Sequence, residues 1–506
     1  MLAFLFGNPQ LDFTGSNHRD RSGKLRAYSN HRIIRLILLT DQTIPPAQLI
    51  QQRITASKQA AALQDSEFDC FALEFVHQQY YLPEQSSIRL IALIYIQLSP
   101  SSSLSIEGSI FPSSGVLLEE LQGLDSNYAS LKDYCKKKGF FWVNFTAPWL
   151  LAPIQIPKPW GQELWFTGIE ARGQSVVCGE GGNLPLPWML SLFPQTKNPD
   201  DEVILLKVLD PLPDEVYGDL YLELHEQKQE VYVVTHIDPQ AWPDGIASMQ
   251  MGFNQQLRQS YFDDETFKKS YLDAVRCYEK VRRALDRVLA QKKREATIPL
   301  DQPVAAETLK KWMKELAQLS ENKEVIEQEK SLRSAMNAFI GSHPLRVGDW
   351  VKVPRYMPHS LQHGIRVIEF QTPVYERKIL SFAQQVLTQN HWDTEEAMQL
   401  AELGPYQPDQ PAVLQSSETG HIERIACFDD FEVRRIRFNG AVNLDSDSYS
   451  LLMTLQGEVS IASGRVSMEL ASGQAVLLPG TGEPWSIASR APVILLHSLP
   501  SVKGAK

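Results

Sequence analysis

The sequence predicts a mainly β protein with α-helix added: strand-rich domains of sandwich or jelly-roll type, a helical insertion between two strand-bearing segments, and a separate N-terminal α+β domain. Three observations predict it. Short β-branched and aromatic runs bounded by turn residues recur from about 149 to 253 and again after 342. Between them lies a long charged stretch of helical periodicity, and before them a block that alternates strand and helix patterns. At 506 residues the chain is too long for one core.

Residues 1–148 form the N-terminal α+β domain of unassigned role. "RIIRLILLT" (32–40), "DCFALEFVHQ" (69–78), "IRLIALIYIQL" (88–98) and "GFFWVNFTA" (139–147) read as strands, and 46–63 and 116–138 as helices. The order β-α-β-β-α-β suits a split βαβ layout. The serine-rich stretch 99–115 reads as a polar loop.

Residues 149–260 and 342–403 form the next domain, interrupted by a helical insertion at 261–341. Strands are clearest at 203–210, 219–226 and 230–237. In the insertion, Phe267, Tyr271, Ala274, Val275 and Tyr278 share one helical face. "ATIPLDQPV" stops that helix with two prolines, and the Lys/Glu-rich remainder reads as a solvated face. A Pro/Gln/Ser-rich linker opens the last domain, 404–506, whose short strands and regular turns suggest a β-sandwich or jelly roll.

Composition narrows the function. Hydrophobic content of 43% and charged content of 22% are those of an ordinary globular protein. A net charge of −11 argues against nucleic acid as a partner, because a phosphate backbone demands clustered Lys and Arg. Five widely spaced cysteines with no CxxC argue against a disulfide scaffold or thiolate zinc site and for a reducing compartment. The N-terminus lacks a basic n-region and a cleavage site, and the apolar run 88–98 is too short to span a bilayer. The expectation is a cytoplasmic protein that uses no membrane; protein partners are not legible.

The chemistry concentrates in "VPRYMPHSLQHG" (353–364). Gly348, Pro354, Tyr356, His359 and His363 follow the spacing G-x5-P-x-Y-x2-H-x3-H. This resembles the second signature of the cupin family, with Tyr356 where Gly is usual and His363 where Asn is usual. There the first His is a metal ligand at a strand end. The family's first signature has its counterpart in "GDLYLELHEQKQE" (218–230). Glu223 and His225 are two apart on a strand, so their side chains share a face, and Glu230 opens the next strand. With His359 this gives two imidazoles and two carboxylates, a set that suits Zn²⁺ and also Mn²⁺ or Fe²⁺. The last domain has a decayed copy: Gly473 and Pro479 are in place, but Pro484 stands where a His would be. It is expected to be a structural lobe.

Within the cupins, residues 150–500 resemble type I mannose-6-phosphate isomerases. Four features carry the resemblance: "KPWGQELWF" (158–166), "LELHEQKQEVYVV" (222–234), "VPRYMPHSLQHGIRVIEFQTPVYER" (353–377), and a helical insertion between the two signature-bearing segments followed by a second β-domain. The resemblance implies double-stranded β-helix (jelly-roll) domains and metal ligands Glu223, His225, Glu230 and His359. It implies active-site roles for Lys228, Glu369 and Arg377, with Arg377 and Lys228 meeting the substrate. Two departures stand out. Glu223 replaces the usual Gln, and only four residues separate His225 from Glu230.

The expected function is then interconversion of mannose 6-phosphate and fructose 6-phosphate, or a related sugar phosphate, by proton transfer through an enediol. Glu369 is the candidate base, Lys228 the candidate acid or electrostatic stabiliser, and Arg377 the candidate phosphate contact. The alternative is a divergent, non-catalytic metal-binding cupin acting as a sugar-binding or regulatory module, favoured by the short loop, Glu223 and the extra N-terminal domain. A cupin oxygenase using Fe²⁺ is a weaker third.

Overall fold

The computed structural model of the chain describes residues 36–39, 43–63, 68–82, 84–98, 104–171, 173–179, 181–195, 202–387, 389, 391–445, 447–464, 466–480 and 482–501. The architecture is mainly β with α, as the strand patterns predict.

The N-terminal domain is a five-stranded sheet in chain order: Ile37–Leu39, Phe68–Gln78, Ser87–Leu98, Leu104–Pro112 and Val143–Asn144. The first two strands are parallel, joined through the Pro46–Leu63 helix, and the rest are antiparallel. A split βαβ layout therefore does not form. The stretch expected as a loop at 99–115 supplies the Leu104–Pro112 strand; residues 99–103 lie outside the described residues. Its serines hid a strand buried on both faces. Ile106 and Ile110 pack with Ile94 on one side, and Phe111 packs with Leu131 and Cys135 on the other. Of the run expected at 32–40, residues 37–39 are strand, and 32–35 and 40 lie outside the described residues. In 139–147 only Val143–Asn144 is strand.

Two antiparallel sheets then face each other. One has six strands, in the order Trp350–Val353, Glu230–Ile237, Ile365–Gln371, Leu205–Pro211, Gly161–Trp165 and Ile154–Lys158. The other has five: Ile340–Leu345, Ala247–Phe253, His359–Ser360, Leu222–Leu224 and Lys378–Ser381. Alternation sends Tyr232, Val234, Val351 and Val367 inward against Met249, Met251, Leu345 and Ile379 of the second sheet. The opposite face, with Leu206, Val231, Val233, Ile368 and Phe370, packs into a core shared with Phe71 and Ile94 of the N-terminal sheet and Leu451 and Leu477 of the C-terminal strands. The six-stranded sheet is thus buried on both faces and gives a stiff floor to whatever sits on it.

The insertion is three helices, Asp264–Glu295, Ala306–Leu316 and Ser320–Asn337. Asp263 caps the first by accepting from the Thr266 N–H. Phe267, Tyr271, Val275 and Tyr278 are buried against Leu222, Leu224 and Leu380, so the insertion backs the outer face of the five-stranded sheet. Its charges are not all solvated. Arg282 and Asp286 form a buried pair, and Lys293 donates to the carbonyls of Leu300 and Gln302, tying down the break between helices. Among the described residues no helix is long and apolar enough to cross a membrane.

The C-terminal strands belong to an eleven-stranded sheet that also recruits Trp149–Ala152, Val176–Gly179 and Gly182–Pro185. Trp149–Ala152 pairs with Ala475–Leu478, so the segment just after the N-terminal domain serves the C-terminal lobe before the chain enters the six-stranded sheet.

Candidate metal centre

The Leu222–Leu224 strand pairs with His359–Ser360 in such a register that Glu223 lies opposite His359. Side chains opposite each other on antiparallel strands share a face. His225 follows one residue past the strand end and completes a group of three whose ligand atoms lie within 4.8 Å of one another. Glu230 comes from the facing sheet. One of its oxygens is 2.7 Å from His359 Nε2 and 3.6 Å from His225 Nε2. Glu223 Oε1 is 3.7 Å from His225 Nε2. The four residues singled out as ligands are therefore brought together, with Glu230 reaching both imidazoles from outside the group of three.

Both imidazoles are oriented from behind. His225 Nδ1 is 2.9 Å from the Glu376 carbonyl, and His359 Nδ1 is 3.1 Å from the Met357 carbonyl. A carbonyl only accepts, so Nδ1 carries the proton and Nε2 presents a lone pair. Neither Nε2 is held by a well-aligned hydrogen bond among the described residues, and both histidines are 1% exposed. Burial, with the Lys228 charge adding to it, holds the His225 pKa below the ordinary histidine value despite Glu230. Both Nε2 atoms thus converge with carboxylate oxygens on one buried point. The donor set therefore fits a divalent metal ion, in keeping with the mixed N/O ligation such ions take.

Local sequence explains the placement. Gly218 precedes the strand because a Cβ there would lie 1.9 Å from the Leu212 carbonyl oxygen and 2.7 Å from His363 Cβ. Tyr356, where cupins usually have Gly, adopts a left-handed φ of 63°. Its N–H donates to the His225 carbonyl and its own carbonyl accepts from the Glu402 N–H, so the two signatures are tied together through a strained residue. His363 does not face the metal group. It pairs with Asp219 at 2.7 Å and stacks on Trp242.

The inner face of the six-stranded sheet supplies the neighbouring chemistry. Trp165, Lys207, Glu369 and Tyr232 form one cross-strand row. Lys207 Nζ lies 3.8 Å from Glu369 Oε2 and 2.9 Å from Gln371 Oε1. Burial, opposed by Lys207 and assisted by Glu230, pushes the Glu369 carboxyl up to about 8. Lys228 pairs with Glu230 at 2.7 Å. Against the burial that would lower it, Glu230, Glu223 and Glu369 hold its ammonium above the ordinary lysine range. In spite of its burial, Lys228 foremost, with His225 and His359, holds Glu230 far below the carboxylate range. Arg377 lies over the Tyr221 ring, 3.8 Å from Glu223. Lys228, Glu369 and Arg377 line one cavity of about 310 Å³ together with Glu223, within the size range of small-molecule sites.

Several residues of this cavity were not anticipated. Glu376 accepts from the consecutive N–H groups of Glu226, Gln227 and Lys228 at 3.0, 3.1 and 3.4 Å and so pins the short turn between His225 and Glu230. Lys158 and Glu163, both inside the "KPWGQELWF" motif, face the cavity as an ion pair at 3.1 Å. The period-2 alternation of Glu163 with Trp165 could have found them. Tyr80 reaches the rim from the N-terminal domain and donates to Glu202 at 2.8 Å, a contact with no local signal. The degenerate C-terminal signature gathers no metal-binding group among the described residues.

No protein-family model matches the chain, and no curated protein matches it. Among solved structures the chain is similar to mannose 6-phosphate isomerase from Bacillus subtilis, at 14% identity and a TM-score of 0.48, covering 70% of this chain and 99% of that one. It is also similar to a mutant of phosphomannose isomerase from Salmonella typhimurium, at 13% identity and a TM-score of 0.46, covering 70% and 100%. A zinc-bound mannose 6-phosphate isomerase aligns at 12% identity and a TM-score of 0.45 over the same shares. Likenesses at this level carry no functional weight.

Proposed function

We propose that this chain is a metal-dependent aldose–ketose isomerase acting on the mannose–fructose pair, through the group formed by Glu223, His225, Glu230 and His359. The observation that carries the reading is that Glu223, one of the converging ligand candidates, lines the same small cavity as a buried carboxyl, Glu369. Zn²⁺ fits the donor set best, with Mn²⁺ or Fe²⁺ as substitutes. Such an ion would supply Lewis acidity toward the carbonyl and adjacent hydroxyl oxygens of a sugar.

The residues of the chain do the rest. Glu369 takes the C2 proton of the aldose, exchanges it with solvent and delivers a proton to C1, while a second proton passes from O2 to O1. A carboxyl whose pKa is raised toward neutrality both accepts and gives back a proton readily. Lys207 steadies it in the charged form. Lys228, paired with Glu230 beside the metal group, offsets negative charge that develops on the oxygens. The six-stranded floor, packed on both faces, holds Lys207 and Glu369 in register. The sequence resemblance names the 6-phosphates as the substrate pair. The same proton transfer serves the free sugars, and the charge of the cavity decides between them.

The test is turnover of mannose, fructose and their 6-phosphates by metal-loaded protein, with Glu369→Gln as control. Turnover that vanishes in the control supports the reading. Absence of turnover on all four sugars, in protein that binds one metal per chain, refutes it.

A further inference from the structure

Among the described residues, every cation in the cavity wall lies beside a carboxyl group. The lysines and arginine that line it are Lys158, Lys207, Lys228 and Arg377. Lys158 lies 3.1 Å from Glu163, Lys207 3.8 Å from Glu369, Lys228 2.7 Å from Glu230 and Arg377 3.8 Å from Glu223. Glu170, Glu202 and Glu376 add further negative charge to the same wall. Even with Glu369 neutral and a divalent ion in the metal group, the positive charges do not exceed the remaining carboxylates among the described residues. Glu223 is decisive here, because the Gln expected at its position would leave Arg377 without that anion.

A phosphate entering this wall would bring about two negative charges into a buried setting with no positive excess to receive them. Its oxygens accept hydrogen bonds and cannot donate, so each carboxylate beside a lysine would repel it. A neutral polyol is different. Each hydroxyl both donates and accepts, so it can bridge a lysine and its partner carboxylate without disturbing their charge balance.

The rim suits a sugar as well. Tyr80 and Tyr375 line the cavity and are each 71% exposed, an unusual degree for such rings. Tyr80 comes from the N-terminal sheet domain and is held by its hydroxyl at Glu202. Tyr375 lies two residues before Arg377 and stacks near its guanidinium. Aromatic faces pack against the C–H faces of a pyranose ring, which are apolar.

We propose that the cavity selects an uncharged, polyhydroxylated sugar over its phosphorylated form, with Tyr80 of the N-terminal domain as a specificity-determining residue at the rim. The proposal rests on the sugar-isomerase reading for the choice of sugar but is separable from it, since it concerns binding. The experiment is calorimetric titration of the metal-loaded full chain with mannose, fructose and their 6-phosphates, alongside turnover of each. The expected result is tighter binding of a free sugar than of its phosphate by about tenfold or more. Tyr80→Ala should weaken free-sugar binding several-fold while the thermal unfolding transition stays in place. Equal or tighter binding of the phosphates overturns the proposal, as does no binding of any of the four or an affinity unchanged by Tyr80→Ala. Preferential binding of the free sugar without turnover refutes the isomerase reading and leaves the selectivity standing.

Discussion

Glu223 and His359 stand opposite each other on adjacent antiparallel strands, although 136 positions, including the whole helical insertion, separate them in the chain. Their pairing makes the metal group a property of the sheet register. A slip of one residue would turn every ligand on that strand to the opposite face. Replacing His359 by Ala should therefore abolish tight Zn²⁺ binding while leaving the Leu222–Leu224 pairing intact. Metal analysis after dialysis checks this, with far-ultraviolet circular dichroism to confirm the fold.

Glu376 holds three successive N–H groups of the turn that carries Lys228. Glu376→Ala should loosen that turn and lower metal affinity by about tenfold, in line with the effect of removing groups that orient ligands. Glu376→Gln keeps a carbonyl oxygen that can accept, so it should restore most of the loss. Competition against a chelating dye measures both variants, and an unchanged affinity in the Ala variant would show that the turn holds itself.

Glu369 is the proton carrier of the proposed reaction. Glu369→Gln preserves shape but cannot accept a proton, so kcat should fall by about a hundredfold or more with little change in substrate affinity. Steady-state kinetics together with titration of the same sugar separates the two effects. A variant of undiminished kcat would assign the proton transfer to another group.

Tyr356 occupies a left-handed backbone conformation that costs a non-glycine residue about 1–2 kcal/mol. Tyr356→Gly relieves that strain but frees the unfolded chain, so its net effect should lie within about 1 kcal/mol of zero. Tyr356→Val, β-branched at the same φ, should destabilise by more than about 1 kcal/mol. Urea unfolding of the two variants gives the comparison.

His497 should make the stability of the C-terminal lobe depend on pH. It is 2% exposed, and neither ring nitrogen has a hydrogen-bond partner among the described residues. Burial, with nearby Arg434 adding to it, pulls its pKa down to about 3. Between that value and the ordinary histidine pKa the unfolded chain binds a proton that the folded chain does not. Stability therefore falls as pH drops through this window, and the loss approaches an upper limit on the order of 5 kcal/mol. Above the ordinary histidine pKa both states are neutral and the penalty vanishes. His497→Leu should flatten that part of the stability profile, which urea titrations at several pH values would reveal.

Local pattern made much of this molecule readable. The strand alternation of Glu223 and His225, the Gly and Pro punctuation around His359 and the helical face from Phe267 to Tyr278 are short-range features, and each carries its own physical signature. What stayed hidden depends on tertiary partners. The Leu104–Pro112 strand is buried on both faces, so it lacks polar–apolar alternation and its serines read as a loop. The chain order of the N-terminal sheet cannot be inferred from where its strands begin and end. Lys207 acquires its role only through its register with Glu369, and Tyr80 only through a neighbour 122 residues away. Glu376 sat beside Arg377 in a recognised motif, but its function lies in three backbone groups that no spacing rule connects to it.

The most direct measurement is isomerisation by Zn²⁺-loaded protein in deuterium oxide, with the product's C1 and C2 positions read by nuclear magnetic resonance. Proton transfer through Glu369 predicts interconversion of mannose and fructose with deuterium carried into the product, and loss of both turnover and label in His225→Ala. Wild-type protein that holds one Zn²⁺ per chain and yet neither converts the sugars or their 6-phosphates nor exchanges their C1 or C2 hydrogens would contradict it.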